Sequence, residues 1–169
     1  MSKNNELLRA MIAYDKGVPK RIHHFLKVYE FARIICEGEK LGGELRHITE
    51  TAAIVHDIGI RLAEQKYGNG HGHYQEIEGP PEAKKMLEAL GYDKAVTERV
   101  CWLVGHHHTY TNIDGTDYRI LVEADFLVNI YEHHENDSDD TAMKAEAAAV
   151  GERIFRTQTG KALLDELYG

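Results

Sequence analysis

The chain has 169 residues, a hydrophobic content of 43% and a formal net charge of −8. This length suits one domain with one well-developed core, and the acidic charge argues against a groove for nucleic acid, which needs clustered Lys and Arg. No apolar run is long enough to cross a bilayer, and the N-terminus lacks the apolar segment of a signal peptide. We therefore expect a cytoplasmic protein without a membrane contact.

Helical periodicity dominates the chain and predicts an all-α fold, a helical bundle of about seven to eight helices. The predicted helices cover, in chain order, residues 5–15, 19–40, 45–58, 81–90, 93–104, 118–133, 141–156 and 160–167. Gly59 is predicted to end the third helix, and the glycine-rich stretch from Tyr67 to Glu78 is predicted to be a loop. Residues 1–169 are expected to form a single domain, with a motif-bearing core at about 20–130 and C-terminal helices packed on it.

Histidine is unusually frequent, with 11 residues that stand mostly in clusters. Cys36 and Cys101 form no metal-binding pattern and predict reduced thiols. The polar stretch His133–Asp140 predicts a solvated loop.

Four residues of metal-ligand type are predicted to face the interior. His24 shares a helix face with Val28, and Asp125 has mostly apolar neighbours three and four residues away. His56 and Asp57 stand together at the end of an aliphatic helix. Each residue alone is explained by a hydrogen bond in the core. Together, on three separate helices, they favour a divalent cation that satisfies two imidazoles and two carboxylates at once.

The order His24, His56-Asp57, Asp125 resembles the signature of the HD superfamily of metal-dependent phosphohydrolases. The segments HFLKV, AAIVHDIG and ILVEADFL, which contain these residues, are similar to the family's three sequence blocks, and the resemblance spans about residues 20–130. It implies an HD-domain-like bundle in which the four residues bind one divalent metal ion (Fe, Mn, Ni, Co, Zn or Mg).

The resemblance also allows a second metal ion, with Asp57 as the bridge between the two. His73 and His106 are the expected additional ligands, with His71 and His107 as alternatives to them. His108 is the least expected ligand of its triplet, because it lies farthest into the loop.

The activity that the resemblance implies is hydrolysis of phosphate esters or anhydrides, in a small nucleotide-like substrate, by attack of metal-bound hydroxide. Asp57, His106 or His107 would orient or deprotonate the attacking water. Arg61 would reach a phosphate, or would be a surface residue, and the segment Tyr67–Glu78 would be a lid or a connector. The stretch HDIGIR lacks the acidic residues that define several subfamilies, so no subfamily is assigned.

Two other functions stay open at this point. One is a mixed-valent di-iron oxygenase of the same fold, which needs both metal ions. The other is a non-catalytic, metal-stabilised ligand-binding module. A homodimer is among the assemblies that the sequence allows.

Overall fold

The fold is built from α-helices alone. The computed structural model describes all of residues 1–169, and none of them lies in a β-strand. Its helices are α1 (Lys3–Tyr14), α2 (Pro19–Gly38), α3 (Gly43–Val55), α4 (Ile60–Tyr67), α5 (Gly72–Ala89), α6 (Lys94–Val104), α7 (Thr116–His134), α8 (Thr141–Arg153) and α9 (Gln158–Tyr168). The predicted all-α class is confirmed, with one helix more than the eight segments predicted.

The helix α7 lies at the centre of the bundle. It packs against α2, α3, α8 and α9, so its buried residues lie on all of its sides and not along a single face. A core cluster of 34 buried hydrophobic residues joins it to the other helices. Consequently, acidic residues in the middle of α7 are surrounded by protein. None of the helices is both long and apolar enough to cross a membrane.

The region after Gly59 differs from the prediction. Residues Ile60–Tyr67 form α4, and α5 begins at Gly72 and contains both Pro80 and Pro81 in its interior. The predicted loop at Tyr67–Glu78 is therefore mostly helical, and only a short connector precedes α5. The two prolines lack the N–H groups that a helix interior normally uses, so the prediction placed the start of the helix at Pro81.

Close packing explains why residues 59 and 79 are glycines. A Cβ atom at Gly59 would lie 2.6 Å from the carbonyl oxygen of Gln75, and one at Gly79 would lie 2.6 Å from a methyl carbon of Val104. Glycine thus allows the start of α4, the middle of α5 and the end of α6 to approach closely. Packing of this kind offsets the local cost of the prolines.

Two cysteines and the polar stretch His133–Asp140 lie outside the predicted ligand set. Cys36 is buried, Cys101 is half-buried, and both thiols are free. The predicted solvated loop is shorter than expected, because His133 and His134 still belong to α7. Residues 135–140 after them are exposed.

A buried carboxylate attaches α9 to the central helix. The side chain of Glu123 is 0% exposed, and it accepts hydrogen bonds from the backbone N–H of Arg156 (2.6 Å) and of Thr157 (3.1 Å). The Thr157 hydroxyl also donates to it. Since Thr157 caps α9, the carboxylate satisfies donors at the positive end of that helix.

We expect Glu123→Ala to lower the free energy of unfolding by about 2–4 kcal/mol, because it leaves buried N–H groups without an acceptor. Urea unfolding measures the change. Glu152→Ala, at an exposed position of α8, is the control and should change stability by less than about 0.5 kcal/mol. Equal stabilities of the two variants would contradict this role of Glu123.

Candidate metal centre

The structure brings His24, His56, Asp57 and Asp125 to one point. The Nε2 atom of His24 lies 3.2 Å from Nε2 of His56, 3.2 Å from Oδ1 of Asp125 and 3.3 Å from Oδ2 of Asp57. The Nε2 atom of His56 is 3.5 Å from each of the same carboxylate oxygens. These side chains come from α2, from the end of α3 and from α7, so only the packing of the three helices assembles them.

Hydrogen bonds fix which ring nitrogen faces this point. Nδ1 of His56 lies 2.8 Å from the Ala53 carbonyl oxygen, and Nδ1 of His107 lies 2.8 Å from that of Val104. A carbonyl can only accept, so Nδ1 donates its proton and Nε2 keeps its lone pair when the ring is neutral. The acceptors are available because α3 and α6 end there, and the last carbonyls of a helix have no partner within it.

A second group of ligand atoms shares Asp57 with the first. Asp57, His107 and His108 have nitrogen and oxygen atoms close enough together to hold a metal ion, as do His24, His56 and Asp57. Oδ2 of Asp57 faces His24 and His56, whereas Oδ1 lies 3.4 Å from Nε2 of His107. The Asp57 carboxylate is therefore placed between the two groups, which is the arrangement expected of a bridging ligand.

Both histidines of the second group are held in place. His107 is 1% exposed, and its buried Nε2 atom has no hydrogen-bond partner. His108 places Nε2 3.0 Å from Oε1 of Gln75, and its backbone N–H donates to Glu76 at 3.0 Å. Since the Gln75 oxygen can only accept, a neutral His108 keeps its lone pair on Nδ1.

The ionisable groups of the site change one another's pKa values. Burial opposes protonation of His24, but its hydrogen bonds with Asp125 and Glu132 outweigh burial and raise its pKa to about 11. Burial favours the neutral acid at Asp57, yet the charge of His56 and the close approach of His107 hold the pKa of Asp57 below its usual range. Burial and then the charge of His107 lower the pKa of His108 to about 4. The carboxylates thus stay ionised and attract positive charge, whether a proton or a metal ion.

The donor set fits a divalent cation. It contains imidazole nitrogens and carboxylate oxygens and no thiolate, a mixture that suits Zn, Fe, Co, Ni or Mn. The unpartnered Nε2 of His107 also supports a bound cation, because a buried polar atom without a partner is unfavourable unless a ligand satisfies it.

Three predicted site residues lie elsewhere. His73 is exposed and lies beside Tyr74. His106 stacks on Trp102 with ring centroids 4.0 Å apart, and its Nδ1 lies 2.6 Å from the Trp102 carbonyl oxygen. Arg61 is exposed and donates to the Tyr14 carbonyl oxygen at 3.1 Å.

The second ligand group thus contains the alternative His107, and also His108, the least expected of its triplet, in place of His73 and His106. The alternative His71 is also exposed. Consecutive residues after a helix end point in different directions, so the spacing alone does not decide which histidine of a triplet turns inward.

A cavity of about 340 Å³ opens onto the ligand groups, and its wall carries two cations that are not among the predicted site residues. These are Lys20 and Arg21, which stand four and three residues before His24 on α2 and therefore share its helix face. That spacing was the signal that could have identified them. The full lining is Lys20, Arg21, His24, Asp57, Ile60, Glu64, Gly70, Gln75, His108, Asp125, Asn129 and Glu132.

Comparisons with known proteins identify the family and the fold of the chain. A family model described as HD domain matches residues 21–156. The fold is similar to the crystal structure of a predicted HD superfamily hydrolase from an uncultured Thermotogales bacterium, with a TM-score of 0.66 and 24% identity, over 97% of this chain and 84% of that one. At this identity the likeness shows the fold. No curated protein matches the sequence.

We expect His107→Ala to lose one bound metal ion per chain and His106→Ala to keep the wild-type content, because only His107 faces Asp57. Metal analysis after dialysis against Mn²⁺ measures the content, and circular dichroism checks that both variants are folded. Equal metal contents in the two variants would contradict the assignment of the second ligand group.

Proposed function

The chain belongs to the HD domain family, and on that premise we propose that it is a metal-dependent hydrolase of phosphate esters or anhydrides. The observation that carries the proposal is the Asp57 carboxylate, which lies between two groups of potential ligands at the wall of an open cavity. Two metal ions that share a carboxylate are a common arrangement for cleaving phosphate bonds.

The two carboxylates of the site, Asp57 and Asp125, differ in their exposure to the cavity. The Asp57 side chain is 18% exposed and that of Asp125 is 6% exposed, so Asp57 is the carboxylate that can contact both a metal ion and a water molecule in the cavity. A bound divalent cation supplies Lewis acidity, which lowers the pKa of water to about 7 and stabilises charge on phosphoryl oxygens. An ionised Asp57 accepts a hydrogen bond from the attacking water and orients it. His56 and His107 are buried, so water reaches the ligand groups only from the side of the cavity.

Arg21 replaces Arg61 as the proposed phosphate-binding residue. Its guanidinium lies at the cavity wall, where it pairs with Glu64 and lies 3.7 Å from Asp15. These two carboxylates hold the side chain one helical turn from His24. A guanidinium offers several N–H donors in a plane, and these match the oxygens of a phosphate group.

A small phosphorylated molecule, nucleotide-like in size, is the proposed substrate. A volume of about 340 Å³ lies within the range of small-ligand sites. The cavity wall combines Lys20 and Arg21 with the acidic residue Glu64, so it suits a ligand that carries both an anionic group and hydrogen-bond donors.

The shared carboxylate also suits a di-iron oxygenase, which is the second candidate. The two functions differ in the metal ion and in the co-substrate. Iron-loaded protein that consumes oxygen, and that shows no hydrolysis with any metal ion, would favour the oxygenase.

We expect the Mn²⁺-loaded protein to release phosphate from members of a panel of nucleotides and phosphate esters, and Asp57→Asn to lower kcat by at least about 10³-fold, since a ligand and an orienting group are lost together. Phosphate release measures the rate. Asp93→Asn, at an exposed position, is the matched control and should keep the wild-type rate. Hydrolysis that survives in Asp57→Asn would exclude this site.

We expect Arg21→Met to lower kcat/KM by about 10- to 100-fold, the effect of one lost charge-assisted hydrogen bond. Arg61→Met makes the same change outside the cavity and should stay within about twofold of wild type. A larger effect at Arg61 would restore it as the phosphate-binding residue.

A further inference from the structure

We infer that Glu132 is a positioning residue that sets the metal affinity of the site through His24. The inference rests on the proposed function, because it concerns a ligand of the same metal centre. It adds a residue that contacts neither the attacking water nor the reacting atoms.

Glu132 holds the outer side of the His24 ring. Its Oε2 atom lies 2.8 Å from Nδ1 of His24, and its Oε1 atom accepts a hydrogen bond from Nζ of Lys27 at 2.8 Å. On the inner side of the ring, Oδ1 of Asp125 lies 3.2 Å from Nε2. Glu132 follows Asp125 by two turns of α7, so the same helix supplies a carboxylate to each side of this imidazole.

His24 needs such a partner because of where it stands. His56 and His107 follow helix ends and use free backbone carbonyls, Ala53 and Val104, as acceptors. His24 lies within α2 (Pro19–Gly38), where the neighbouring carbonyls are occupied by the helix's own hydrogen bonds. The acceptor for its Nδ1–H must therefore come from another helix, and Glu132 of α7 is the residue in place.

The partner of His24 differs in charge from the partners of His56 and His107. A carboxylate that accepts the Nδ1 proton makes the opposite nitrogen a stronger electron donor and adds negative charge near the cation. A neutral carbonyl does this less. Glu132 is well placed for such an effect, since its side chain is 12% exposed and that of His24 is 8% exposed.

The bond with Lys27 offers a purely structural explanation of Glu132. In that explanation the ion pair would hold α2 against α7, and its effect on the metal ion would be indirect. Lys27 is 43% exposed, and exposed ion pairs contribute little to stability. The two explanations predict opposite results when Lys27 is removed.

The first experiment compares Mn²⁺ affinity by calorimetry in four variants of the full chain. Glu132→Ala should bind about 10- to 100-fold more weakly, as is typical when the hydrogen-bond partner of a metal-binding histidine is lost. Glu132→Gln keeps an acceptor without the charge and should lose less. Lys27→Met leaves the contact between Glu132 and His24 in place, and its Mn²⁺ affinity should stay within about threefold of wild type. Glu135→Ala, at the next acidic position of the chain, is the charge-matched control and should do the same.

The second experiment observes the His24 ring by NMR. In Zn²⁺-loaded wild type, the ¹⁵N resonances of His24 should show a protonated Nδ1 and a metal-bound Nε2. In Glu132→Ala the Nδ1 proton should exchange faster with solvent, whereas in Lys27→Met the pattern should be that of wild type. Circular dichroism confirms that each variant is folded, and Glu132→Gln serves if Glu132→Ala does not fold.

Wild-type affinity in both Glu132 variants would overturn the inference, and so would an equal loss in Lys27→Met. Failure of the proposed function looks different. Wild-type protein that binds Mn²⁺ in a Glu132-dependent way but hydrolyses no phosphate compound would retain the positioning role and reject the activity.

Discussion

Two ionised carboxylates set among buried imidazoles are the constraint on which the structure depends. Asp125 is buried and Asp57 is 18% exposed, so water solvates these carboxylates only in part, and charge in such a place is unfavourable without a counter-ion. Protonation of His24 supplies one positive charge, and a divalent cation supplies more. His24, His56 and His107 present Nε2 to the same region, so the cluster combines ligands and charge that favour a metal ion.

Helix ends build most of this site. The C-terminal ends of α3 and α6 aim His56 and His107 at Asp57, and each ring is fixed by a carbonyl that its helix leaves free. The central helix α7 adds Asp125 from the interior of the bundle. Close packing at Gly59 and Gly79 holds the end of α6 near the turn that carries Asp57. The ligands are thus positioned by rigid elements and short turns, which preserves their mutual distances.

The cavity has a mixed electrostatic character that is consistent with an anionic substrate in an acidic protein. The net charge of −8 repels anions at long range, but Lys20 and Arg21 lie next to the ligand groups. Asp15 and Glu64 keep Arg21 oriented. Bound cations would reverse the local charge of the site, because their charge is the largest nearby. Binding of metal ions and binding of a phosphate group would therefore favour each other.

The sequence by itself determined the helical class and the four residues His24, His56, Asp57 and Asp125 that meet at the centre. Their polarity on apolar faces is a local property, and so is the periodicity that places them. Only the tertiary structure decided which further histidines turn inward, that the glycine-rich stretch is helical, and that Arg21 instead of Arg61 reaches the cavity. Each of these depends on packing between segments far apart in the chain, such as Gly59 against Gly79 and Glu132 against His24. Spacing within one segment carries no information about such contacts.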